Sequence, residues 1–313
     1  MAMFMVRAIT ITSQASIEIY TNIQKKADCM HRQVKLGDSG KIVTAIGLGA
    51  MPLSLTDRPN EKTAFDVIKA FIDGGGNFID TANVYCSDEN DVGHNEKLIH
   101  KALKKFGKLD DIIVATKGGL TRPKGRWDCN ATPQWLRTSC EKSLRDLNTD
   151  SIFLYQLHAP DPNVPFTESI SELAKLQQEG KIRHIGLSNV NSQEILTALT
   201  IVHVLSVQNR CNVFEKKSFD RGIVDLCEKE NIVFIPHSPV GGHFDHKKWT
   251  HSRPLRDIAQ KHGVSTYQIM LSWLLHKGDH ILPIPGASKV SSISDSLKAL
   301  DISLDQNDLN IIN

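Results

Sequence analysis

Short apolar runs rich in β-branched residues alternate along the chain with longer segments in which apolar residues recur every three or four positions. The runs predict strands at Asn77–Ile79, Ile112–Thr116, Ile152–Leu157, Arg183–Leu187, His203–Val207, Ile232–Ile235 and Ile281–Ile284. The segments between them predict helices at Lys62–Asp73, Asn95–Phe106, Pro133–Arg145, Glu168–Glu179, Gln193–Leu199, Phe219–Glu230, Val264–His276 and Val290–Leu300. An opening strand near Val43–Leu48 would bring the strands to eight. This alternation is typical of a parallel sheet, and the strand number favours the α/β class in the form of a single (β/α)8 TIM barrel.

The sequence predicts one domain that follows an N-terminal segment of different character. It has 313 residues, of which 40% are hydrophobic and 23% are charged, as is ordinary for a globular protein. No linker, charge block or internal repeat divides it, so we predict one barrel domain over residues 31–313. Residues 1–30 begin with an apolar stretch that no small-residue cleavage site follows. We predict that they form a poorly ordered or dispensable extension.

Composition narrows the possible partners and the compartment. The 37 Lys and Arg residues nearly balance the 35 Asp and Glu residues, which gives a net charge of +2. This charge lacks the strong basic excess that is typical of nucleic-acid-binding domains. No apolar run approaches the ~20 residues that a membrane helix needs. The six cysteines are scattered without a C-x-x-C motif, which favours reduced thiols and a cytoplasmic location. The histidines His243, His246 and His251 match no standard zinc spacing, so no metal is expected. Nothing in the sequence specifies the oligomeric state.

Polar residues follow the ends of the predicted strands. Asp80, Lys117 and His158 come directly after the first three runs. After the later runs come Ser188, Asn189, Gln208, His237, Ser238, Pro285 and Gly286. In a barrel of this kind the carboxyl ends of the strands meet at one face, and active sites lie there. We therefore predict the functional site at this face.

Three of these residues, together with Tyr85 in the loop after Asp80, suggest acid–base chemistry. Asp80 and Lys117 lie on adjacent predicted strands and can form a buried ion pair, which needs a third partner to offset its desolvation. Tyr85 can be that partner, because an adjacent ammonium lowers the pKa of a phenol from ~10 and makes it a usable general acid. His158 can orient or polarise a carbonyl oxygen. Each residue alone has a structural explanation, as a strand tie, a loop anchor or a satisfied core histidine, but together they predict catalysis.

Several segments resemble motifs of the aldo-keto reductases. Asn77–Tyr85 resembles that family's Asp…Tyr signature. Similar motifs are Ala115-Thr116-Lys117, Leu157-His158, Gly180-Lys181-Ile182-Arg183, Gly186-Leu187-Ser188-Asn189 and Ile284-Pro285-Gly286-Ala287-Ser288. They run in order from about Arg32 to near the C-terminus. The resemblance implies reduction of aldehyde or ketone carbonyls by NADPH, with a catalytic tetrad of Asp80, Tyr85, Lys117 and His158, and with Tyr85 as the proton donor.

The resemblance also implies a dinucleotide site. Ser188, Asn189 and Gln208 match residues that hold the nicotinamide carboxamide, and Ser238 with Ile284–Lys289 matches the phosphate contacts. The implied set of cofactor residues is Ser188, Asn189, Gln208, His237, Ser238, Pro285, Gly286, Ala287, Ser288, Lys289 and Ser292.

Four residues depart from the family pattern, among them Ser296, which stands where an Asn often contacts the adenine. Lys289 stands where many relatives have Arg, and as a point charge it can still meet a 2′-phosphate. Together with the Ser288 hydroxyl it favours NADPH over NADH. His237 replaces a residue that is commonly aromatic, and Cys86 replaces a glycine.

The substrate is not identified by the sequence. Trp127 and Met51 are our candidates for contacts with a small-molecule carbonyl substrate, although Trp127 is equally typical of a loop anchor. Two other functions remain open: an NAD(P)-dependent sugar- or polyol-type alcohol dehydrogenase, and a catalytically idle nucleotide-binding subunit. Schiff-base chemistry at Lys117 is disfavoured, because pairing with Asp80 would keep that lysine charged.

Overall fold

The computed structural model describes residues 32–242 and 251–312 and has seven parallel strands in one sheet, each beside the next along the chain. These strands are β3 (Leu48–Gly49), β4 (Phe78–Asp80), β5 (Ile113–Gly118), β8 (Ile152–Leu157), β9 (Ile182–Ser188), β10 (Val204–Arg210) and β11 (Val233–His237). Two antiparallel hairpins lie outside this sheet: β1 (Gln33–Lys35) with β2 (Ile42–Thr44), and β6 (Leu120–Thr121) with β7 (Asp128–Cys129).

The barrel closes through residues 281–286. The backbone N–H of Leu282 donates to the carbonyl of Phe234 (2.9 Å), and that of Gly49 donates to the carbonyl of Pro285 (3.0 Å). The predicted strand Ile281–Ile284 is therefore in place between the first and seventh sheet strands, but it is irregular. The physical reason is the pair of prolines in this segment, which have no N–H to contribute to a regular ladder. The prediction of a single (β/α)8 barrel is confirmed.

The opening strand differs from the prediction. Its first residues, Val43 and Thr44, belong to the β1–β2 hairpin, and the barrel strand is only Leu48–Gly49. A Cβ atom on Gly49 would lie 2.7 Å from the carbonyl oxygen of Ile284. Only glycine allows the backbones to approach so closely where the barrel closes.

The helices follow the predicted order. They are α1 (Glu61–Asp73), α2 (His94–Phe106), α3 (Pro133–Leu147), α4 (Phe166–Gln178), α5 (Ser192–Leu199), α6 (Lys217–Asp220), α7 (Ile223–Lys229), α8 (Arg253–His262), α9 (Thr266–His276), α10 (Val290–Leu297) and α11 (Gln306–Ile312). The prediction of one helix over Phe219–Glu230 is wrong, because the chain breaks at Gly222, whose φ is +65°. Helices α8 and α11 were not predicted.

Large apolar side chains fill the space between the strands and the helices. Trp273, Tyr155, Phe71 and Phe78 are among the largest fully buried side chains. The polar residues at the ends of the strands lie together at one end of this core. Across the described ranges we find no helix with both the length and the apolar character to cross a membrane. The predicted extension at residues 1–30 lies outside the described residues.

Candidate active site

Asp80, Lys117 and Tyr85 form a buried chain of hydrogen bonds. Asp80 ends β4, Lys117 lies near the end of β5, and Tyr85 follows in the loop after β4. The Lys117 ammonium donates to Asp80 Oδ1 at 2.5 Å and lies 3.1 Å from the Tyr85 hydroxyl. The predicted ion pair and its third partner are thus confirmed in geometry.

Further polar groups compensate the buried pair. Lys117 Nζ also donates to the carbonyl of Thr81 (2.9 Å). The second oxygen of Asp80 accepts hydrogen bonds from the side-chain amides of Gln208 (2.8 Å) and Gln156 (3.2 Å). These bonds satisfy lone pairs and protons that would otherwise make a buried ion pair costly. Gln156 was not among the predicted site residues, although a glutamine inside an apolar strand run is a usable signal.

Opposing effects set the protonation states of Lys117 and Tyr85. Burial lowers the pKa of Lys117, but Asp80 and Tyr85 outweigh it, and the net pKa is raised. Lys117 therefore stays an ammonium group, which argues against Schiff-base chemistry. Burial raises the pKa of Tyr85, and the nearby Lys117 offsets only part of this. The expectation of a lowered Tyr85 pKa is wrong for this state of the site, since desolvation exceeds the effect of the lysine.

His158 lies opposite Tyr85, directly after β8. The centres of the two rings are 5.8 Å apart and the rings meet edge to face. Burial, and to a lesser extent the positive charge of Lys117, hold the pKa of His158 well below its usual value. The imidazole is therefore neutral, and its Nδ1 atom is buried with no hydrogen-bond partner among the described residues.

Trp127 completes an aromatic cluster at this end of the site. Its ring centre is 6.3 Å from that of Tyr85 and 6.4 Å from that of His158. Met51 packs against the small apolar cluster that includes Tyr85 and Leu120. Both residues predicted to contact substrate therefore lie beside the predicted catalytic groups.

One cleft of about 820 Å³ joins most of the predicted site residues. It is lined by Met51, Asp80, Tyr85, Trp127, His158, Ser188, Asn189, Gln208, His237, Ser238, Gly286, Ala287, Ser288 and Ser292. Three predicted residues do not line it: Lys117 and Pro285 are buried in the wall, and Lys289 is exposed at the start of α10. Its size lies within the roughly 300–1,000 Å³ typical of small-molecule and cofactor pockets.

Asn189 and His237 are linked in the middle of the cleft. The Asn189 amide donates to the His158 carbonyl (2.9 Å), and its oxygen lies 3.3 Å from His237 Nε2. Asn189 and Ser238 have positive φ angles of 57° and 53°, a conformation that costs energy and is typical of functional sites. Burial, followed by the charges of Lys117 and Arg210, lowers the pKa of His237 to about 3.

The far end of the cleft contains residues that were not among the predicted cofactor contacts. Asp295 on α10 accepts hydrogen bonds from Ser265 Oγ (2.6 Å) and Gln268 Nε2 (2.5 Å) at the start of α9. Tyr267, Ser291 and Ser296 line the same end. The contributing residues come from the start of α9 and from α10, so no single local motif reveals them.

These features fit a nicotinamide dinucleotide. The amides of Asn189 and Gln208 lie near the catalytic groups, and serine hydroxyls gather at the other end beside the start of α10. A helix N-terminus has a partial positive charge that suits phosphate. Within residues 32–242 and 251–312, no group of three or more His, Cys, Asp or Glu residues could hold a metal ion. Of the histidines considered for zinc, His243 and His246 lie outside the described residues.

Comparisons with known proteins agree with this geometry. The model of the aldo/keto reductase family matches residues 45–313. An uncharacterized oxidoreductase of Schizosaccharomyces pombe is 37% identical over 276 residues, which cover 87% of this chain and 85% of that protein. A probable aldo-keto reductase of Glycine max is 31% identical over 305 residues, covering 88% and 86% of the two chains.

Two solved structures have similar folds. A thermostable aldo-keto reductase in complex with the inhibitor epalrestat superposes with a TM-score of 0.76 at 29% identity, covering 90% of this chain and 98% of that one. The glycerol dehydrogenase of Gluconobacter oxydans superposes with a TM-score of 0.78 at 25% identity, covering 90% and 94%.

Proposed function

The chain belongs to the aldo/keto reductase family of NAD(P)H-dependent carbonyl oxidoreductases, and from this premise we propose that it reduces aldehyde or ketone carbonyls with NADPH, taking the proton from Tyr85. The observation that carries the proposal is the buried chain from Asp80 through Lys117 to the Tyr85 hydroxyl, with the neutral His158 opposite. A protein that only bound nucleotide would not need this arrangement.

Tyr85 and His158 act on the carbonyl oxygen. The Tyr85 phenol is protonated at neutral pH, because its pKa is raised, and it can both donate a hydrogen bond and transfer its proton. A neutral imidazole has one N–H to donate, so His158 can hold the same oxygen in place. Bound NADPH supplies the hydride that forms the new C–H bond. Two prearranged donors thereby stabilise the negative charge that develops on oxygen.

Lys117 and Asp80 make the proton transfer possible. Once Tyr85 gives up its proton, a phenolate remains 3.1 Å from the Lys117 ammonium, and at this distance in a buried site the opposite charges attract strongly. Asp80 keeps Lys117 charged and correctly placed. Solvent can then reprotonate Tyr85 when the product leaves.

The remaining residues of the cleft suit the cofactor and the substrate. Ser188, Asn189 and Gln208 lie where they can hold the carboxamide, with His237 beside them. Ser288 and Ser292 line the far end, and the exposed Lys289 stands at the start of the adjoining helix. A lysine in that place favours the 2′-phosphate of NADPH by charge. At the opposite end, Met51 and Trp127 offer an apolar wall to the substrate.

The proposal is tested by following the ultraviolet absorbance of the reduced nicotinamide with the purified full chain. A panel of aldehydes and ketones is assayed with NADPH and with NADH, and a panel of sugars and polyols is assayed in the oxidative direction. We expect oxidation of NADPH by aldehydes or ketones. Faster oxidation of sugars or polyols with NAD⁺ would indicate the dehydrogenase function instead. Tight NADPH binding without turnover of any substrate would indicate an idle nucleotide-binding subunit.

A further inference from the structure

Arg122 is a buried arginine close to the active site that the mechanism above does not use. It follows β6 and is only 5% exposed. Its Nη2 atom donates to the backbone carbonyls of Cys86 (3.1 Å) and Ser87 (3.2 Å), the two residues directly after Tyr85. Its Nε and Nη1 atoms are buried and have no hydrogen-bond partner within the described residues. A buried charge that is only partly satisfied is costly, so its retention calls for a compensating contact.

The compensating contact is with Trp127. The Arg122 guanidinium carbon lies 3.9 Å from the centre of the Trp127 ring, well within cation–π distance. The indole is 45% exposed, and its ring contacts those of Tyr85 and His158 edge to face. Arg122 therefore touches both the loop that contains Tyr85 and the side chain that forms the substrate wall.

Other contacts join the same two loops. The backbone N–H of Lys124 donates to the Glu89 carboxylate (2.5 Å). A Cβ atom on Gly125, whose φ is +74°, would lie 3.1 Å from the carbonyl oxygen of Ser87. These ties bring the loops together at the surface, whereas Arg122 joins them beneath Trp127, next to the reacting groups.

We propose that Arg122 is a positioning residue of the reaction, which fixes the indole of Trp127 against Tyr85 and His158 and holds the backbone that follows Tyr85. This inference rests on the proposed function. Its consequence is that Arg122 determines the shape of the substrate end of the cleft without contacting the substrate. Carbonyl compounds large enough to reach Trp127 depend on it more than small aldehydes do.

The test compares Arg122→Met and Arg122→Lys with a matched control, Arg126→Met, in the same loop. The Arg126 side chain is 73% exposed, so its loss should leave kcat and KM unchanged. We expect Arg122→Met to lower kcat/KM by roughly ten-fold or more for bulky carbonyl substrates, because small misplacements of positioning groups have large kinetic effects. Most of the loss should be in KM, the loss should be smaller for a small aldehyde, and the Kd for NADPH should not change. Arg122→Lys should retain only part of the wild-type kcat/KM for bulky substrates. An ammonium group cannot both stack on the indole and donate as a planar guanidinium does.

A double-variant cycle separates positioning from a general structural role. If Arg122 acts through Trp127, adding Arg122→Lys to Trp127→Leu should cause little further loss of kcat/KM. Losses that add fully would overturn the proposed positioning of Trp127 by Arg122, as would an unchanged kcat/KM for bulky substrates in Arg122→Met. Thermal melting checks that each variant folds. If Arg122→Met does not fold, Arg122→Lys is used for the kinetic comparison.

Tryptophan emission provides a readout that needs no turnover. Removing the guanidinium from the ring face should shift the emission of Trp127, and the shift should vanish in a Trp127→Leu background. This measurement tests the Arg122–Trp127 contact even if the wild-type chain reduces no carbonyl compound, an outcome that would count against the proposed function alone. No shift in Arg122→Met would contradict the inference.

Discussion

The ammonium nitrogen of Lys117 lies 3.1 Å from the hydroxyl oxygen of Tyr85, and both side chains are buried. In the resting site, desolvation keeps the tyrosine protonated in spite of the lysine. The lysine therefore contributes most after the proton has left, when a phenolate must be stabilised away from water. This division of effects leads to the first two predictions.

Replacing Tyr85 with Phe should abolish turnover while NADPH still binds. The ring and its contacts remain, but the proton donor is lost, and general acid catalysis alone contributes roughly 10²–10⁴-fold. Steady-state NADPH oxidation measures kcat, and quenching of tryptophan fluorescence measures the Kd for NADPH. Tyr155→Phe is the control, because it removes a buried hydroxyl that donates a long hydrogen bond, 3.4 Å, to the Leu136 carbonyl. An unchanged kcat in Tyr85→Phe would refute the assignment of the proton donor.

Carbonyl reduction should be insensitive to pH across the neutral range. The pKa of His158 is held well below its usual value and that of His237 is lowered to about 3, so neither ring gains a proton there. The pKa of Tyr85 is raised above 10.0, so the acid form is lost only at high pH. We expect kcat/KM for reduction to stay level from about pH 6 to 9 and to fall only above about pH 10. A step near pH 6.5 that disappears in His158→Asn would show that His158 titrates during the reaction.

Replacing Lys289 with Ala should weaken NADPH binding selectively. Lys289 is exposed next to the end of the cleft that contains the serine hydroxyls. Loss of one charge–phosphate contact should raise the Kd for NADPH by roughly ten-fold, which is about 1.4 kcal/mol, and should leave NADH binding unchanged. Lys298→Ala removes another exposed lysine after the same helix and serves as the control. Equal weakening of both dinucleotides would exclude a role in recognising the 2′-phosphate.

Glu96 on α2 is a buried carboxyl group outside the cleft. Its Oε1 accepts a hydrogen bond from Thr116 (2.6 Å), whereas its Oε2 has no partner among the described residues. Burial raises its pKa from 4.5 to about 7, in spite of the hydrogen bond from Thr116. The folded state therefore retains a proton that the unfolded state releases. The resulting stability is fully present below about pH 4.5 and is lost as the pH rises through about 7.

Glu96→Gln should stabilise the protein at alkaline pH. It removes a penalty of roughly 3 kcal/mol that corresponds to this pKa difference, and a gain of that order raises Tm by several degrees in a chain of this size. Thermal melting at pH 8 and pH 5 measures the effect, which should be much smaller at pH 5. Glu141→Gln is the control, since hydrogen bonding to Lys181 lowers the pKa of Glu141 and its loss should not raise Tm. A Tm gain of equal size at both pH values would show that ionisation of Glu96 is not the cause.

Some of the fold was not predictable from local pattern. The segment Val43–Leu48 has the composition of one strand, yet the chain uses its start in a hairpin and only its last residue in the barrel. Its role depends on residues 281–286, which lie more than 200 positions away and close the barrel against Gly49. Apolar periodicity reports which residues prefer burial, but not the strand beside which they are buried.

The alternation of strands and helices and the residues that end the strands depend on neighbours a few positions apart, so both could be predicted from the sequence. These patterns placed Asp80, Lys117 and His158 on one face of a barrel, and the sequence motifs placed Tyr85 beside them. The balance of charge at the site and its supporting contacts could not be predicted in this way. The pKa of Tyr85, the ties of Arg122 to Trp127 and the bond between Gln208 and Asp80 depend on which distant groups pack together and on how completely they exclude water.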